Sequence, residues 1–139
     1  MASLIYNSCI DDMARGAIDF DTDTFKVMLV TSTYAPNKDT HDKRDDVTNE
    51  VSGTGYTAGG VASVCTVTKD TANDKVTLSF AAVSWATATI TARGAVYYKS
   101  RGGASSADEL VGYVDFGSDV SSTNGTFAVT VSSPLKFQN

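Results

Sequence analysis

Val64-Cys65-Thr66-Val67-Thr68-Lys69-Asp70-Thr71-Ala72-Asn73-Asp74-Lys75-Val76-Thr77-Leu78-Ser79-Phe80 is the stretch that decides the fold. Val76, Leu78 and Phe80 alternate with Thr77 and Ser79, the period of a strand with one face in and one face out. Cys65 and Val67 alternate with Thr66 and Thr68 in the same way. The connector, residues 69–75, is turn-rich, so the two runs predict an antiparallel hairpin.

The neighbouring segments extend this pattern. Residues 25–31 are apolar on both faces, as expected of a central strand covered on two sides. Residues 89–99 form a long predicted strand, with Ile90, Ala92, Val96 and Tyr98 on one face and Arg93, Tyr97 and Lys99 on the other. Gly94 in its middle signals a bulge or a close backbone approach. Residues 110–116 read as a further strand. Asn124-Gly125 is the strongest short-range hairpin-turn signal in the chain, and Phe127, Val129 and Val131 alternate after it. Leu135 and Phe137 continue as a short last strand after Pro134. The helix candidate is N-terminal. Ile10, Met13, Ala14 and Ala17 recur at helical spacing, with Ser3 or Ser8 as cap and Gly16 as stop.

Composition agrees with a β-rich reading. Thr occurs 18 times and Val 15 times, and both fit a pleated surface better than a helix. Fourteen of the acids are Asp and only two are Glu, which suits turns rather than helix interiors. The expected architecture is mainly β: an antiparallel β-sandwich or jelly-roll-like barrel with one short N-terminal helix, in a single domain over residues 1–139. At 42% hydrophobic and 19% charged the chain is neither disordered nor membrane-spanning by helices. A net charge of −5 argues against direct nucleic-acid binding, which needs clustered cations. The first residues lack a basic segment and a long apolar run, so no secretory signal is expected. The loops of least order are expected at 34–60 and 100–108, with a helical turn within 45–51.

No motif supplies chemistry. Residues 53–58 match G-x-G-x-x-A, but a dinucleotide site needs a strand before and a helix after, and here a β-type run follows. The plainer reading is a glycine loop that turns sharply into a strand. Asp19-Phe20-Asp21-Thr22-Asp23 begins like a calcium loop. Thr24 and Val30 then stand where Gly and Glu are required, leaving a solvated turn. His41, the sole histidine, is expected at the surface of a charged loop, and no nucleophile motif accompanies it. Cys9 and Cys65 are expected as buried free thiols, although one disulfide remains open. Trp85 is expected to anchor the core. No catalytic, cofactor-binding or metal-binding residue is assigned.

An ordered set of segments carries a family resemblance. It comprises Asp23-Thr24-Phe25-Lys26-Val27-Met28-Leu29-Val30-Thr31-Ser32, Asp46-Val47 with Glu50-Val51, and Gly53-Thr54-Gly55-Tyr56-Thr57-Ala58-Gly59-Gly60. Thr89-Ile90-Thr91-Ala92-Arg93-Gly94-Ala95-Val96-Tyr97-Tyr98-Lys99 and Tyr113-Val114-Asp115-Phe116-Gly117-Ser118-Asp119 complete it. Each segment alone is weak, but the ordered set, spanning residues 4–137, resembles a family of small virion structural proteins of tailed bacteriophages and prophages. The resemblance implies a non-enzymatic capsid decoration (cement) protein, bound in many copies or as a homo-oligomer to the outside of the head lattice. Its partner would be the major capsid protein or another virion structural protein, without cofactor, nucleic-acid or membrane contact. Its place would be the virion, assembled in the host bacterial cytoplasm. A tail or head–tail junction component is the alternative position, and a carbohydrate-binding β-sandwich module the alternative class. An enzyme would require a pocket of convergent titratable groups.

The expected contact residues are Leu4, Ile5 and Tyr6, Tyr34 and Tyr56 of the 34–56 loop, and Tyr97. They are apolar or aromatic side chains expected to be exposed and suited to a protein interface.

Overall fold

The structure, a computed structural model, describes residues 2–130 and 135–138. Its elements in chain order are β1 (Leu4–Ile5), α1 (Asn7–Ala14), β2 (Phe25–Val30), β3 (Val61–Ala62), β4 (Cys65–Asp70), β5 (Lys75–Phe80), β6 (Val83–Lys99), β7 (Leu110–Val129) and β8 (Leu135–Gln138). Two antiparallel sheets form a sandwich-like arrangement. One has five strands in the order β1-β7-β6-β2-β3 and the other three in the order β4-β5-β8. The expected mainly β class and the single short helix are both found.

The hairpin read from residues 64–80 is β4–β5, in register from Cys65 opposite Phe80 to Asp70 opposite Lys75. The last short strand is β8, which pairs Val76 with Phe137; Val131 and Pro134 lie outside the described residues. β2 is covered on both faces, as its apolar run predicts. Phe25, Val27 and Leu29 join Cys65, Leu78, Trp85, Tyr97 and Phe127 in the core between the sheets. Met28 and Val30 point the other way, into a second core with Tyr6, Tyr34, Val96, Tyr98, Leu110 and Tyr113. The five-stranded sheet is therefore buried on both sides at its centre.

β6 and β7 pair from Val83–Val129 to Tyr98–Leu110. Gly94 meets both halves of its expectation. The ladder shifts beside it, and a side chain there would start 2.4 Å from the Tyr113 ring. Ala92 opposes Val120 whereas Gly94 opposes Asp115, so β7 makes an excursion at residues 116–119. Arg93 holds its base, Nε lying 3.2 Å from Asp115 and Nη1 3.8 Å from Asp119.

Three local expectations are corrected. Asn124-Gly125 is not a hairpin turn. It lies inside β7 at an irregularity between the pairs Ala88–Gly125 and Ile90–Ser122. Asn124 takes the left-handed conformation (φ 47°), which serves a bulge as well as a turn, and its N–H donates to Thr89 Oγ1. The reversal between β6 and β7 instead runs through a 3-10 turn at Ser105–Ala107. In α1 the buried side chain is Cys9, with Met13 packed on the same core, while Ile10 is 50% exposed. Neither expected serine caps the helix: Tyr6 stands at that position without a side-chain bond, and Ser8 lies inside. Gly16 (φ 78°) follows the C-cap as expected. The helical turn expected within 45–51 is a 3-10 turn at Arg44–Asp46.

Candidate interaction surface

The six expected contact residues do not share one surface. Leu4 and Ile5 form the two-residue strand β1 against Tyr113 and Gly112, Leu4 half-buried and Ile5 37% exposed. Tyr6 is fully buried, and Tyr34 and Tyr97 are 2% and 3% exposed. Their expected exposure is corrected, because each ring fills a core. Tyr97 packs on Phe80 at 4.8 Å between the sheets, where burial pushes its phenol up to about 12. Tyr56 is half-buried beside Trp85 at 5.6 Å.

Tyr6 and Tyr34 instead pin the 31–50 loop over the second core. Their hydroxyls are 2.8 Å apart, and the Tyr34 hydroxyl is 2.9 Å from His41 Nδ1. The Asn37 backbone N–H also donates to Nδ1, so that nitrogen is an acceptor and the mobile proton sits on Nε2. The chain is then directional: Tyr6 donates to Tyr34, which donates to His41. Burial raises both phenols, and for Tyr6 its bond to Tyr34 raises it further. His41 is thus half-buried and stacked on Tyr34 at 5.7 Å, rather than a free surface residue.

Glu50 and Tyr56 pin the glycine loop. Tyr56 donates to Glu50 Oε1 (2.7 Å) and accepts from the Leu29 N–H (2.9 Å). The Gly59 N–H donates to the same carboxylate oxygen, and Tyr98 donates to the Gly59 carbonyl. Gly60 (φ 74°) runs so close to β2 that a side chain would start 1.7 Å from the Val27 carbonyl oxygen. No helix follows this loop; β3 does, in keeping with the plain reading of the glycine motif.

Two buried acids close the end of the molecule where β6 meets β7. Asp108 accepts from Arg44 Nε (2.8 Å) and from the Arg101 backbone N–H, and Arg44 lies over the Tyr98 ring. Glu109 pairs with Arg101 and lies 3.9 Å from Lys43. Burial alone would raise Glu109, but these partners outweigh it and hold the carboxyl below its ordinary range. Asp19 and Asp23 are also used internally. Asp19 accepts from the Asp21 N–H, Asp23 accepts from the Asp19 N–H and pairs with Lys99.

No family model, curated protein or solved structure matches this chain.

What the described surface offers is apolar and scattered: Ile5, Ile10, Val64, Val67, Val120 and Phe137. Ile10 escaped the sequence reading because helical spacing assigned it to the buried face. An open groove of about 640 Å³ lies beside Phe137, bordered by Lys69, Asp70, Lys75 and Lys136. Among the described residues no group of three or more His, Cys, Asp or Glu is placed to hold a metal ion. Cys9 and Cys65 are free and buried.

Proposed function

We propose that this chain is a structural protein of a tailed-bacteriophage particle, a non-enzymatic decoration (cement) protein bound in many copies to the outside of the head. The ordered set of segments quoted above carries the reading. Its residues coincide with the positions that define this fold: the doubly covered β2, the Glu50–Tyr56–Gly59 clasp, the Gly94–Tyr113 contact and the Arg93–Asp115 pair. A rigid body with pinned loops suits a lattice ligand, because little ordering entropy is lost on docking. Multiple copies convert weak single contacts into strong retention. Of the residues expected at the contact, Ile5 stays exposed, whereas Tyr6, Tyr34 and Tyr97 are committed to the cores.

Quantitative mass spectrometry and cryo-electron microscopy of purified particles test this reading. The expected result is a fixed, symmetry-related copy number with density on the outer head surface. Density confined to the tail or the head–tail junction would move the protein there. Particles that lack the chain would remove the reading altogether.

A further inference from the structure

We propose that the outer edge of β7, over residues 120–129, is an interface between two copies of this chain. β7 is bonded to β6 on both sides of the 116–119 excursion, but on its other side, among the described residues, to β1 only, at Gly112 and Tyr113. Among the described residues no other strand bonds the edge beyond that point. Unpaired edges invite pairing, and folds normally blunt them with short strands, lysines or proline. Several other edges among the described residues are blunted, although the outer side of β6 over residues 83–92 is held only by the Thr54–Thr89 bridge. β1 and β3 are two residues long, β4 carries Lys69, and β8 carries Lys136.

The β7 edge over residues 120–129 carries no lysine or proline and is interrupted only by the irregularities around Asn124-Gly125. Residues 83–92 and 120–129, the two arms of the ribbon, contain no Asp, Glu, Lys or Arg. Ser121, Thr123, Thr126 and Ala128 are exposed, and Val120 is 42% exposed. This composition favours a second copy as the occupant. A hydroxyl both donates and accepts, so a row of Ser and Thr is complementary to itself. The chain carries −5 overall, and two copies repel least through a face without carboxylates. Antiparallel pairing of β7 with β7 about a two-fold axis satisfies the open backbone groups of both copies and joins two five-stranded sheets.

Sedimentation equilibrium of the full chain over a dilution series tests the proposal. The expected mass is twice that of one chain at high concentration. Ser121→Lys with Thr123→Lys places like charges across the two-fold and weakens association about tenfold or more. Thr66→Lys, on an exposed position of β4, leaves association unchanged. A single-chain mass at every concentration overturns the proposal and leaves the edge to a different partner. A double variant that is folded by circular dichroism yet associates undiminished also overturns it. Hydrogen exchange of the wild-type chain gives a second reading that needs no variant. The amides of 120–129 should be protected at high concentration and lose protection on dilution; fast exchange at all concentrations overturns the assignment.

Discussion

Tyr34 shows how much one hydroxyl can hold. It accepts a hydrogen bond from Tyr6 and donates one to His41, and its ring meets Tyr113 edge-on at 5.9 Å. Tyr34→Phe keeps the ring but leaves the buried Tyr6 hydroxyl without its acceptor. The expected cost is about 1–3 kcal/mol, read as a lower urea midpoint with unchanged slope. An unchanged midpoint would show that the hydroxyl chain contributes nothing. The cysteines give a second residue-scale test. Burial, with a minor contribution from Asp12, pushes the Cys9 thiol up to about 12. Burial, then Asp21, pushes Cys65 up to about 11. A native chain at about pH 8 therefore exposes almost no thiolate, and alkylation should be slow at both sites until denaturant is added. The same shifts set an alkaline limit. The folded state keeps these thiols neutral, so their contribution is complete below the ordinary thiol range and is lost as pH rises towards 11 to 12.

At the scale of elements, the clasp of Asp108 and Glu109 ties the β6–β7 reversal to the 3-10 turn at Arg44–Asp46. Asp108→Ala leaves Arg44, itself largely buried, without its carboxylate, and should destabilise the fold by about 3 kcal/mol. Thermal unfolding of the variant checks this. The pH dependence follows from the direction at Glu109. Its carboxyl is held below the ordinary range, so its contribution is present above that range and disappears as pH falls through the lowered folded value. Asn124 supplies another test: Asn124→Gly should be nearly neutral, whereas Asn124→Val forces a β-branched side chain into a left-handed backbone and costs about 1–2 kcal/mol. The same elements show what was legible before the structure. The 64–80 hairpin could be read because a strand with one dry face writes its period into adjacent residues. Asn124-Gly125 misled because turn and bulge need the same backbone conformation, and only the distant partner strand decides between them. The tyrosines misled for a related reason. Tyr6 and Tyr34 are 28 residues apart, and Arg44 and Asp108 are 64 apart. No local pattern records which loop closes over which sheet face.

At the scale of the whole molecule, the two cores are not independent, because one sheet separates and feeds both. Leu29 and Met28 are adjacent in β2, yet the first enters the core between the sheets and the second the core under the 31–50 loop. Tyr97 and Tyr98 divide in the same way on β6. A strand cannot release one face while holding the other in register, so loosening either core loosens both. Trp85 reports on this directly, since it is the sole tryptophan and lies in the core between the sheets, 6.2 Å from Phe127. Tyr34→Ala removes a ring from the opposite core and should cost about 3–5 kcal/mol. Trp85 fluorescence and far-ultraviolet circular dichroism should then fall together, to one lower denaturant midpoint, although Tyr34 and Trp85 belong to different cores. Two separate midpoints, with the Trp85 transition left where it stands in the wild type, would mean that the loop core melts alone and that the sheet does not couple them.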